Sequence, residues 1–423
     1  MARRPFSSAA AGAIGRTPLA SARFRAVIGM SLLIMIGFGL IIPALPLFAK
    51  QFEVGETAVG WVITAFAITR LIGDLFAGAL IDKFGERPIT ALGALIVGVS
   101  SIAAGAAGSF TQLWVLRGVG GVGSALFLGG LLAYLVGTTA PEERGRAMGI
   151  FQGSFVLGLL LGPLIGGVLI ALTSVNVPLY VYGATCLVSV PLILRALGPE
   201  RVPAEALTQA PDLPSGEPPG PRAPAWSRLR PLLANPTYRA ALTATMWGFL
   251  VVSAMQTLLP VLWRDVLGRS EGSVGLPFTA SALAGLLVVW HAGSLSDRRG
   301  RKFALQPAVV VAGLALAALG LVTNATSVIV VMAVVGAASG YARPGPTAMI
   351  ADVASAESRG VAVSGYRIAG DLGSLIGPVT AGAIAEHVSF SAAFFVIASV
   401  SALVLAMTLR AEETAPAARA RAA

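Results

Sequence analysis

The chain has 423 residues, of which 56% are hydrophobic and only 12% are charged, and its formal net charge is +10. A soluble globular protein carries about 25% charged residues. The polar surface is therefore too small to cover a water-soluble body of this size, and the mean hydropathy of +0.81 leads to the same conclusion. The composition excludes a soluble globular protein and indicates one embedded in a lipid bilayer.

Twelve apolar runs are long enough to cross a bilayer as helices. Crossing a hydrocarbon core of about 30 Å takes about 20 residues at a rise of about 1.5 Å per residue. We number these runs span 1 to span 12. The sequence predicts them at residues 26–49, 58–81, 89–108, 112–138, 147–171, 177–197, 238–262, 275–296, 303–322, 326–351, 361–385 and 389–409. The expected fold class is an all-α membrane protein.

The basic residues are distributed unequally between the two sides of the membrane. Of the 30 Lys and Arg residues, only Lys50, Arg264 and Arg269 lie in loops on the side reached after span 1. In membrane proteins the cytoplasmic loops carry more Lys and Arg than the loops on the opposite side. The other side, which holds both termini, is therefore expected to be cytoplasmic. The positive charge is thus explained by the loops of a multi-pass protein of a cell membrane, such as the bacterial inner membrane, and we expect no nucleic-acid partner.

The segments outside the spans divide the chain into two sets of six helices. Residues 1–25 are predicted to form a basic cytoplasmic tail, although their arginines and serines also resemble a transit peptide. Residues 198–237 are rich in proline and are expected to be a disordered cytoplasmic connector. The spans then form an N-terminal half at 26–197 and a C-terminal half at 238–409, followed by a cytoplasmic tail at 410–423.

The two halves repeat each other at an offset of 215 residues, the separation between Gly78 and Gly293. The loop that runs from Gly78 to Gly85 after span 2 recurs from Gly293 to Gly300 after span 8. The same offset places Gly162-Pro163 on Gly377-Pro378. Two parallel repeats of six helices place a binding site between them near the middle of the bilayer. The expected architecture is therefore two pseudo-symmetric six-helix halves.

The repeated loops resemble the signature of the major facilitator superfamily. The signature residues are Gly78, Asp82, Lys83, Gly85 and Arg87 in the first copy and Gly293, Asp297, Arg298, Gly300 and Arg301 in the second. Glu86 departs from the pattern, because a basic residue is usual there. The resemblance covers nearly the whole chain apart from the tail and the connector. It implies a major facilitator fold, in which these loops help to lock the cytoplasmic side.

Motifs in spans 1, 4 and 5 are similar to those of the twelve-span drug:proton antiporters of that superfamily. Span 1 carries Ile36-Gly37 and, further on, Pro43 to Pro46, and span 4 carries Arg117, whose counterpart in the family is linked to proton transfer. Span 5 matches the antiporter motif at every spacing, with Gly149, Gly158, Gly162, Pro163, Gly166 and Gly167. Glycines of this kind form a groove for a neighbouring helix, so packing alone also explains them. The resemblance implies export.

Spans 2 and 11 each carry an arginine and an aspartate four residues apart, although a charge in a span costs roughly 3 kcal/mol. They are Arg70 and Asp74 in span 2 and Arg367 and Asp371 in span 11. Each pair could neutralise itself along its own helix. In the superfamily's fold the two spans are antiparallel neighbours, so the alternative is a crossed double bridge, Asp74–Arg367 and Arg70–Asp371, that closes a gate between the halves. Arg117 is a further candidate partner.

Asp74 and Asp371 are the candidate proton carriers, with Arg117 as a third residue of proton coupling. A carboxylate that leaves an ion pair for a low-dielectric seam gains from binding a proton. Arg343 in span 10 could contact an anionic group of a substrate, or it could reach Asp352 or a backbone carbonyl. Span 1 contains no acid, which weakens the case for a cationic substrate.

These features predict a secondary active transporter, with proton-coupled efflux of small amphipathic compounds or drugs by alternating access as the first hypothesis. No G-x-x-x-x-G-K-[ST] loop is present in the sequence, so an ion or substrate gradient is expected to drive transport. A proton-coupled or facilitative importer of a sugar or metabolite, and a lipid flippase, are the alternatives. The sequence shows no nucleophile–base or metal-ligand cluster, so we expect neither an enzyme nor a cofactor or metal. The expected state is a monomer whose partners are the substrate, protons and the bilayer.

Overall fold

The computed structural model describes residues 21–139, 143–197, 225–355 and 358–415. In these ranges every regular element is helical, and twelve helical segments are long and apolar enough to span a membrane. The spans are Ala22–Lys50, Glu56–Phe84, Glu86–Gly105, Phe110–Thr138, Arg144–Leu172, Val177–Ala196, Pro236–Val266, Glu271–Arg299, Arg301–Leu319, Ala325–Val353, Gly360–His387 and Phe390–Arg410. The predicted all-α membrane fold is confirmed, and the ends of the spans differ from the predicted ones by a few residues.

The segments outside the spans differ in two places from the expectation. Span 1 begins at Ala22, inside the predicted tail. The expectation of a connector without regular structure is wrong for its last part, because Ala225–Ala234 is a helix. Leu229 and Leu233, one helical turn apart, pack against the core, and their burial offsets the helix-breaking prolines nearby. The rest of the predicted tail and connector, and the end of the C-terminal tail, lie outside the described residues.

Two features of the sequence explain where spans begin and where the chain reverses. The side-chain oxygen of Asn235 accepts a hydrogen bond from the backbone N–H of Thr237 at 2.8 Å, and Pro236 follows at a position where a missing N–H costs nothing. The chain reverses after span 2 at Gly85 and after span 8 at Gly300, with φ of 89° and 128°. Side chains other than glycine rarely adopt this conformation, which explains the two signature glycines.

The contacts inside the two halves repeat at the offset seen in the sequence. The Arg87 guanidinium donates a hydrogen bond to the carbonyl of Leu194 at the end of span 6. The Lys302 ammonium donates one, at 3.3 Å, to the carbonyl of Leu409 at the end of span 12. Both the donors and the acceptors are separated by the same 215 residues as Gly78 and Gly293. The two halves therefore share a fold as well as sequence motifs.

Glycines bring spans 5 and 11 against the first span of their own half. Gly162 of span 5 lies against the backbone of Gly39 in span 1, too close for a side chain on either residue. At the equivalent place in the other half, a Cβ on Gly377 of span 11 would lie 2.7 Å from the carbonyl oxygen of Leu250 in span 7. Backbone contacts of this kind are how small residues hold membrane helices together.

The halves meet at one face of the bundle. We call the face at which span 1 begins and span 12 ends the terminal face, and the opposite one the distal face. Near the distal face, the backbone N–H of Thr57 donates to the Glu386 carboxylate at 2.9 Å. Somewhat deeper, the Thr64 hydroxyl donates to the carbonyl oxygen of Leu375 at 3.0 Å. These bonds join spans 2 and 11, and Gly167 of span 5 packs on the start of span 8. The distal face is closed.

Toward the terminal face the halves lie apart. A Cβ built on Gly78, Gly149 or Gly293 would meet no heavy atom within 4 Å. The side chain of Trp290, in the terminal part of span 8, is 86% exposed. The structure is thus closed at the distal face and open at the terminal face.

We expect Gly162→Val to destabilise the protein much more than Gly149→Val does. A side chain at Gly162 would press on the backbone of Gly39, and overpacking of this kind costs about 1–3 kcal/mol or more. Gly149 belongs to the same motif but has open space around it. The temperature at which half of the detergent-solubilised protein is lost as a monodisperse peak in size-exclusion chromatography measures both variants. Equal midpoints for the two would show that this contact does not hold spans 1 and 5 together.

A second prediction concerns the segment after span 12. The Glu413 carboxylate accepts backbone N–H bonds from Arg301 (2.8 Å), Lys302 (3.0 Å), Thr414 (2.9 Å) and Ala415 (3.0 Å). Burial alone would raise the pKa of Glu413, but these backbone bonds outweigh it and hold the pKa below its ordinary value. The resulting stability is therefore present above the ordinary pKa of glutamate and is lost as the pH falls through the lowered pKa of the folded state.

We expect Glu413→Gln to lower the melting midpoint at pH 7, with a loss of stability of up to about 2 kcal/mol. The effect should become progressively smaller as the pH falls below the ordinary pKa of glutamate. Glu412→Gln is the matched control, because the neighbouring Glu412 side chain is exposed. A penalty for Glu413→Gln that stays constant across this pH range would contradict a role of the charged carboxylate.

Candidate functional site

Two cavities lie between the halves and meet in the middle of the bundle. The first, of about 540 Å³, is lined mainly by spans 5, 7, 8 and 10, and we call it the span-10 cavity. The second, of about 310 Å³, is lined mainly by spans 1, 2, 4, 6, 7 and 11, and we call it the span-2 cavity. Leu159, Val252 and Gln256 line both. The two cavities adjoin at these residues, and we call them together the compartment; its size suits a drug-sized molecule.

The span-2 cavity has an aromatic wall. The ring of Phe38 lies 5.9 Å from that of Phe66 and 6.2 Å from that of Tyr182, measured between centroids. Phe155 and Phe249 line the same cavity. Contacts between such rings are offset or edge-on, which stabilises them beyond simple burial. The wall offers a large apolar surface to a planar ligand.

One arginine in this cavity is shared between the acids of the two spans. The Arg70 guanidinium lies 3.7 Å from the Asp371 carboxylate across the interface between the halves, and 3.9 Å from Asp74 on its own helix. Its side chain is 38% exposed, and that of Asp371 is 26% exposed. The group is therefore partly desolvated but still accessible from the cavity.

The crossed and the self-paired arrangements of these four residues each consist of two ion pairs, and the structure contains one pair of each. The Arg70–Asp371 pair belongs to the crossed arrangement and the Arg70–Asp74 pair to the self-paired one. In the described ranges, Arg367 has no acid within 4.0 Å and its side chain is exposed. The second crossed pair, Asp74–Arg367, is thus not formed while the terminal face is open. The role of the four residues as a gate stays a prediction.

Arg117 lies beyond the span-2 cavity and pairs with no acid in the part of the chain that the structure describes. Its guanidinium lies 4.6 Å from the centroid of the Phe66 ring, and the side chain is almost fully buried. The Nε–H has no hydrogen-bond partner in the same ranges. The cation is thus held by an aromatic face, and it does not partner Asp74 or Asp371.

The two signature loops differ in their charge contacts. In the second loop, Arg301 binds Asp297 in an ion pair and Asp352 of span 10 at 3.3 Å. Glu86 occupies the place of Arg301 in the first loop and is buried, so the corresponding bridge is missing there. Asp82 is exposed. This asymmetry is the structural counterpart of the departure at Glu86.

Two further basic residues of the signature, Lys83 and Arg298, are exposed. The ammonium of Lys83 lies over the ring of Phe84, 5.2 Å from its centroid, and Arg298 lines a shallow surface hollow of span 8.

Most glycines of the span 5 motif make close contacts. Gly158, Gly162 and Gly166 face span 1, and Gly167 faces the loop and helix start at Gly272 and Gly275 in the other half. Pro163 lies between these groups, and its carbonyl approaches Gly275. The motif therefore packs span 5 within its half and also against the other half at the distal face. Its relation to the direction of transport stays a prediction.

Arg343 lies at a break in span 10 and lines the span-10 cavity. Its side chain is exposed to the cavity and has neither an ion pair nor a side-chain hydrogen bond within the described ranges. Asp352, one of its expected partners, instead binds Arg301 at 3.3 Å and accepts a hydrogen bond from Thr414 at 2.7 Å. The arginine is left facing the compartment.

Gln256 is a lining residue that sequence reasoning did not single out. Gln256 lies where the two cavities meet, and a glutamine inside an apolar span is itself a signal that could have identified it. Trp290 lines the span-10 cavity and the adjoining surface, but nothing in the sequence distinguishes it from an interfacial anchor. In the ranges that the structure describes, no group of three or more His, Cys, Asp or Glu side chains could hold a metal ion.

The sequence is similar to a known family and to known bacterial proteins. A family model described as Major Facilitator Superfamily matches residues 27–334 and 270–423. Multidrug resistance protein 1 of Bacillus subtilis (strain 168) is 32% identical over 169 residues, which are 40% of this chain and 43% of that protein. Quinolone resistance protein NorA of Staphylococcus aureus is 30% identical over 152 residues, 36% of this chain and 39% of that one. The match thus spans about two fifths of the length of these curated relatives.

Solved structures share the fold over nearly the whole chain. A bacterial homologue of the human lysosomal transporter Spinster, in an inward-facing and occupied conformation, has a TM-score of 0.71 at 17% identity, covering 93% of this chain and 97% of that one. A nucleoside transporter, NupG, has a TM-score of 0.73 at 13% identity, covering 92% and 99%. Identities this low show the fold alone. The family model, which matches most of the sequence, shows that the chain belongs to the Major Facilitator Superfamily.

Proposed function

We propose that this transporter exports small amphipathic compounds, including drugs, in exchange for protons. The observation that carries the proposal is the compartment formed by two adjoining cavities between the halves, with an aromatic wall and an ion pair that joins spans 2 and 11. Relatives at about 30% identity bear the names of multidrug and quinolone resistance proteins, which supports efflux over uptake. The antiporter motif of span 5 supports the same direction.

The terminal face is the cytoplasmic one in this proposal, so both termini are cytoplasmic. The basic loops lie at this face, and cytoplasmic loops carry the excess of Lys and Arg. The structure then corresponds to the state that takes up substrate from the cell interior. Rocking of the two halves would close this side and open the distal one around the same compartment.

Asp371 carries the proton in this mechanism. While it is ionised it holds Arg70 across the interface, and a proton on the carboxylate removes that attraction. Arg70 then interacts with Asp74 alone, and the halves are released to move. When the terminal face closes, Arg367 approaches Asp74 and completes the crossed arrangement. Arg117, whose counterpart in the antiporters is linked to proton transfer, is the third residue of proton coupling in this proposal.

A lipid flippase is the second candidate. Trp290 of span 8 lines the span-10 cavity and is 86% exposed, and Gly153 of span 5, which lines the same cavity, has no close neighbour. A lipid could pass its headgroup through such a cavity. Scrambling of fluorescent lipids in proteoliposomes, without any dye transport, would favour this candidate.

We expect Asp371→Asn to abolish proton-driven extrusion of lipophilic dyes, because the amide cannot carry the proton. Dye fluorescence would be followed in cells expressing the protein, with and without an uncoupler. Asp74→Asn should retain part of the activity, since Asp74 binds Arg70 only within its own helix. Glu53→Gln, in an exposed loop, is the control. Extrusion by Asp371→Asn that remains sensitive to the uncoupler would exclude Asp371 as the carrier.

A charge exchange tests the gate. Arg367→Asp and Asp74→Arg should each reduce transport at least about tenfold, since a like charge placed across an interface costs several kcal/mol. The double variant, which restores opposite charges, should recover a large part of the rate. Transport rates in proteoliposomes, normalised to the amount of protein, give the comparison. A double variant no better than the worse single one would show that these two residues do not meet during the cycle.

A further inference from the structure

The position of Arg343 follows from two prolines. Span 10 consists of the helices Ala325–Ala342 and Pro344–Val353, with Arg343 at the break between them. Pro344 and Pro346 cannot donate the backbone hydrogen bonds that would continue the helix. The break therefore lies where the sequence requires it, and it presents the arginine to the span-10 cavity.

Arg343 is the one charged residue among the described residues that line this cavity. The acids on the neighbouring helices are already paired with other arginines. On the spans that form the cavity, the described acids lie near the helix ends, and each is bound by an arginine: Asp265 and Glu271 by Arg264, and Asp297 and Asp352 by Arg301. The cavity therefore carries an uncompensated positive charge.

The adjoining span-2 cavity does not supply the missing negative charge. Its acid, Asp371, lies 3.7 Å from Arg70, and Asp74 lies 3.9 Å from the same guanidinium. One arginine between two acids leaves a charge of −1, which the buried cation of Arg117 beyond that cavity balances. The net charge of +1 that remains for these residues together with Arg343 lies at Arg343, and a positive ligand would meet repulsion there, since charges interact strongly in a partly desolvated space.

The surroundings of Arg343 fit an aromatic or otherwise apolar body attached to an acidic group. Phe278, Met255, Met332 and Trp290 line the cavity together with the arginine. A guanidinium binds carboxylate or sulfonate oxygens with two parallel hydrogen bonds. Methionine side chains adapt to differing apolar shapes. The cavity thus offers one anion-binding group and a broad apolar surface.

We propose that the transported compounds are amphipathic organic anions and that Arg343 binds their carboxylate or sulfonate group. This assigns a substrate class to the export proposed above and rests on it. Gln256, at the junction of the two cavities, can donate a further hydrogen bond to the same ligand. Lipophilic cations are excluded from tight binding by the same charge.

The experiment compares three ligands that share one ring system and differ in charge. They are pyrenebutyrate, pyrenebutanol and pyrenebutyl-trimethylammonium, in radiolabelled form, with binding to the full chain in lipid nanodiscs measured by scintillation proximity. Empty nanodiscs correct for partition into lipid. Wild type should bind the anion more tightly than the alcohol, and the alcohol more tightly than the cation.

Arg343→Gln should weaken binding of pyrenebutyrate about tenfold to a hundredfold, as expected for loss of a hydrogen-bonded charge, and should leave binding of pyrenebutanol unchanged. Arg343→Lys should keep the preference for the anion with reduced affinity, because the charge remains while the two-pronged geometry is lost. Arg239→Gln is the control: it removes the same charge from an exposed site outside both cavities.

Tighter binding of the cation by wild type, or an unchanged affinity of Arg343→Gln for the anion, would overturn the inference. Equilibrium binding separates this result from failure of export. If the anion binds as described but proteoliposomes with an imposed pH gradient do not move it, the efflux proposal fails and the assignment of the ligand class stands. Loss of the alcohol's binding in Arg343→Gln would show a collapsed cavity, and Arg343→Lys then decides between the two explanations.

Discussion

The close approach of helices at glycine positions is the constraint on which the rest of this structure depends. Gly162 lies against the backbone of Gly39, and Gly167 packs the end of span 5 on the start of span 8. Because a side chain cannot be inserted at these points, the axes of the helices are fixed near the distal face. In this conformation the compartment is therefore open toward the terminal face, where Gly78 and Gly149 have no close neighbours.

Fixing the helices also determines which charges can meet. Spans 2 and 11 touch near the distal face through Thr64 and Leu375, and this brings Arg70 within 3.7 Å of Asp371, part-way along the interface. Arg367 lies closer to the terminal face, where the spans have diverged, and in the described ranges it has no acid within 4.0 Å. The same geometry that opens the compartment therefore separates one ion pair and keeps the other.

Much of the fold could be predicted from the sequence, because the length of an apolar run and the spacing of repeated glycines are local signals. The partners of charged side chains could not. The sequence leaves open whether Arg343 contacts a substrate, Asp352 or a backbone carbonyl. In the structure Asp352 binds Arg301 and Thr414, which lie 51 and 62 residues from it along the chain. The connector helix was missed because two leucines one turn apart are a weak signal beside many prolines. The sharing of Arg70 between two acids depends on how far the halves have opened, which no sequence pattern records.

If the substrate is an anion, as proposed above, the membrane potential favours export over uptake. Moving one charge across a membrane potential of 100 mV involves about 2.3 kcal/mol. With the cell interior negative, an anion leaving the cell and a proton entering it both move with the potential, so their exchange transfers two charges and gains about twice that energy. Uptake of the same anion would work against the potential and would need at least two protons to be driven by it. If Asp371 carries one proton and Arg343 binds the anion, as proposed above, export is the direction that the membrane potential favours.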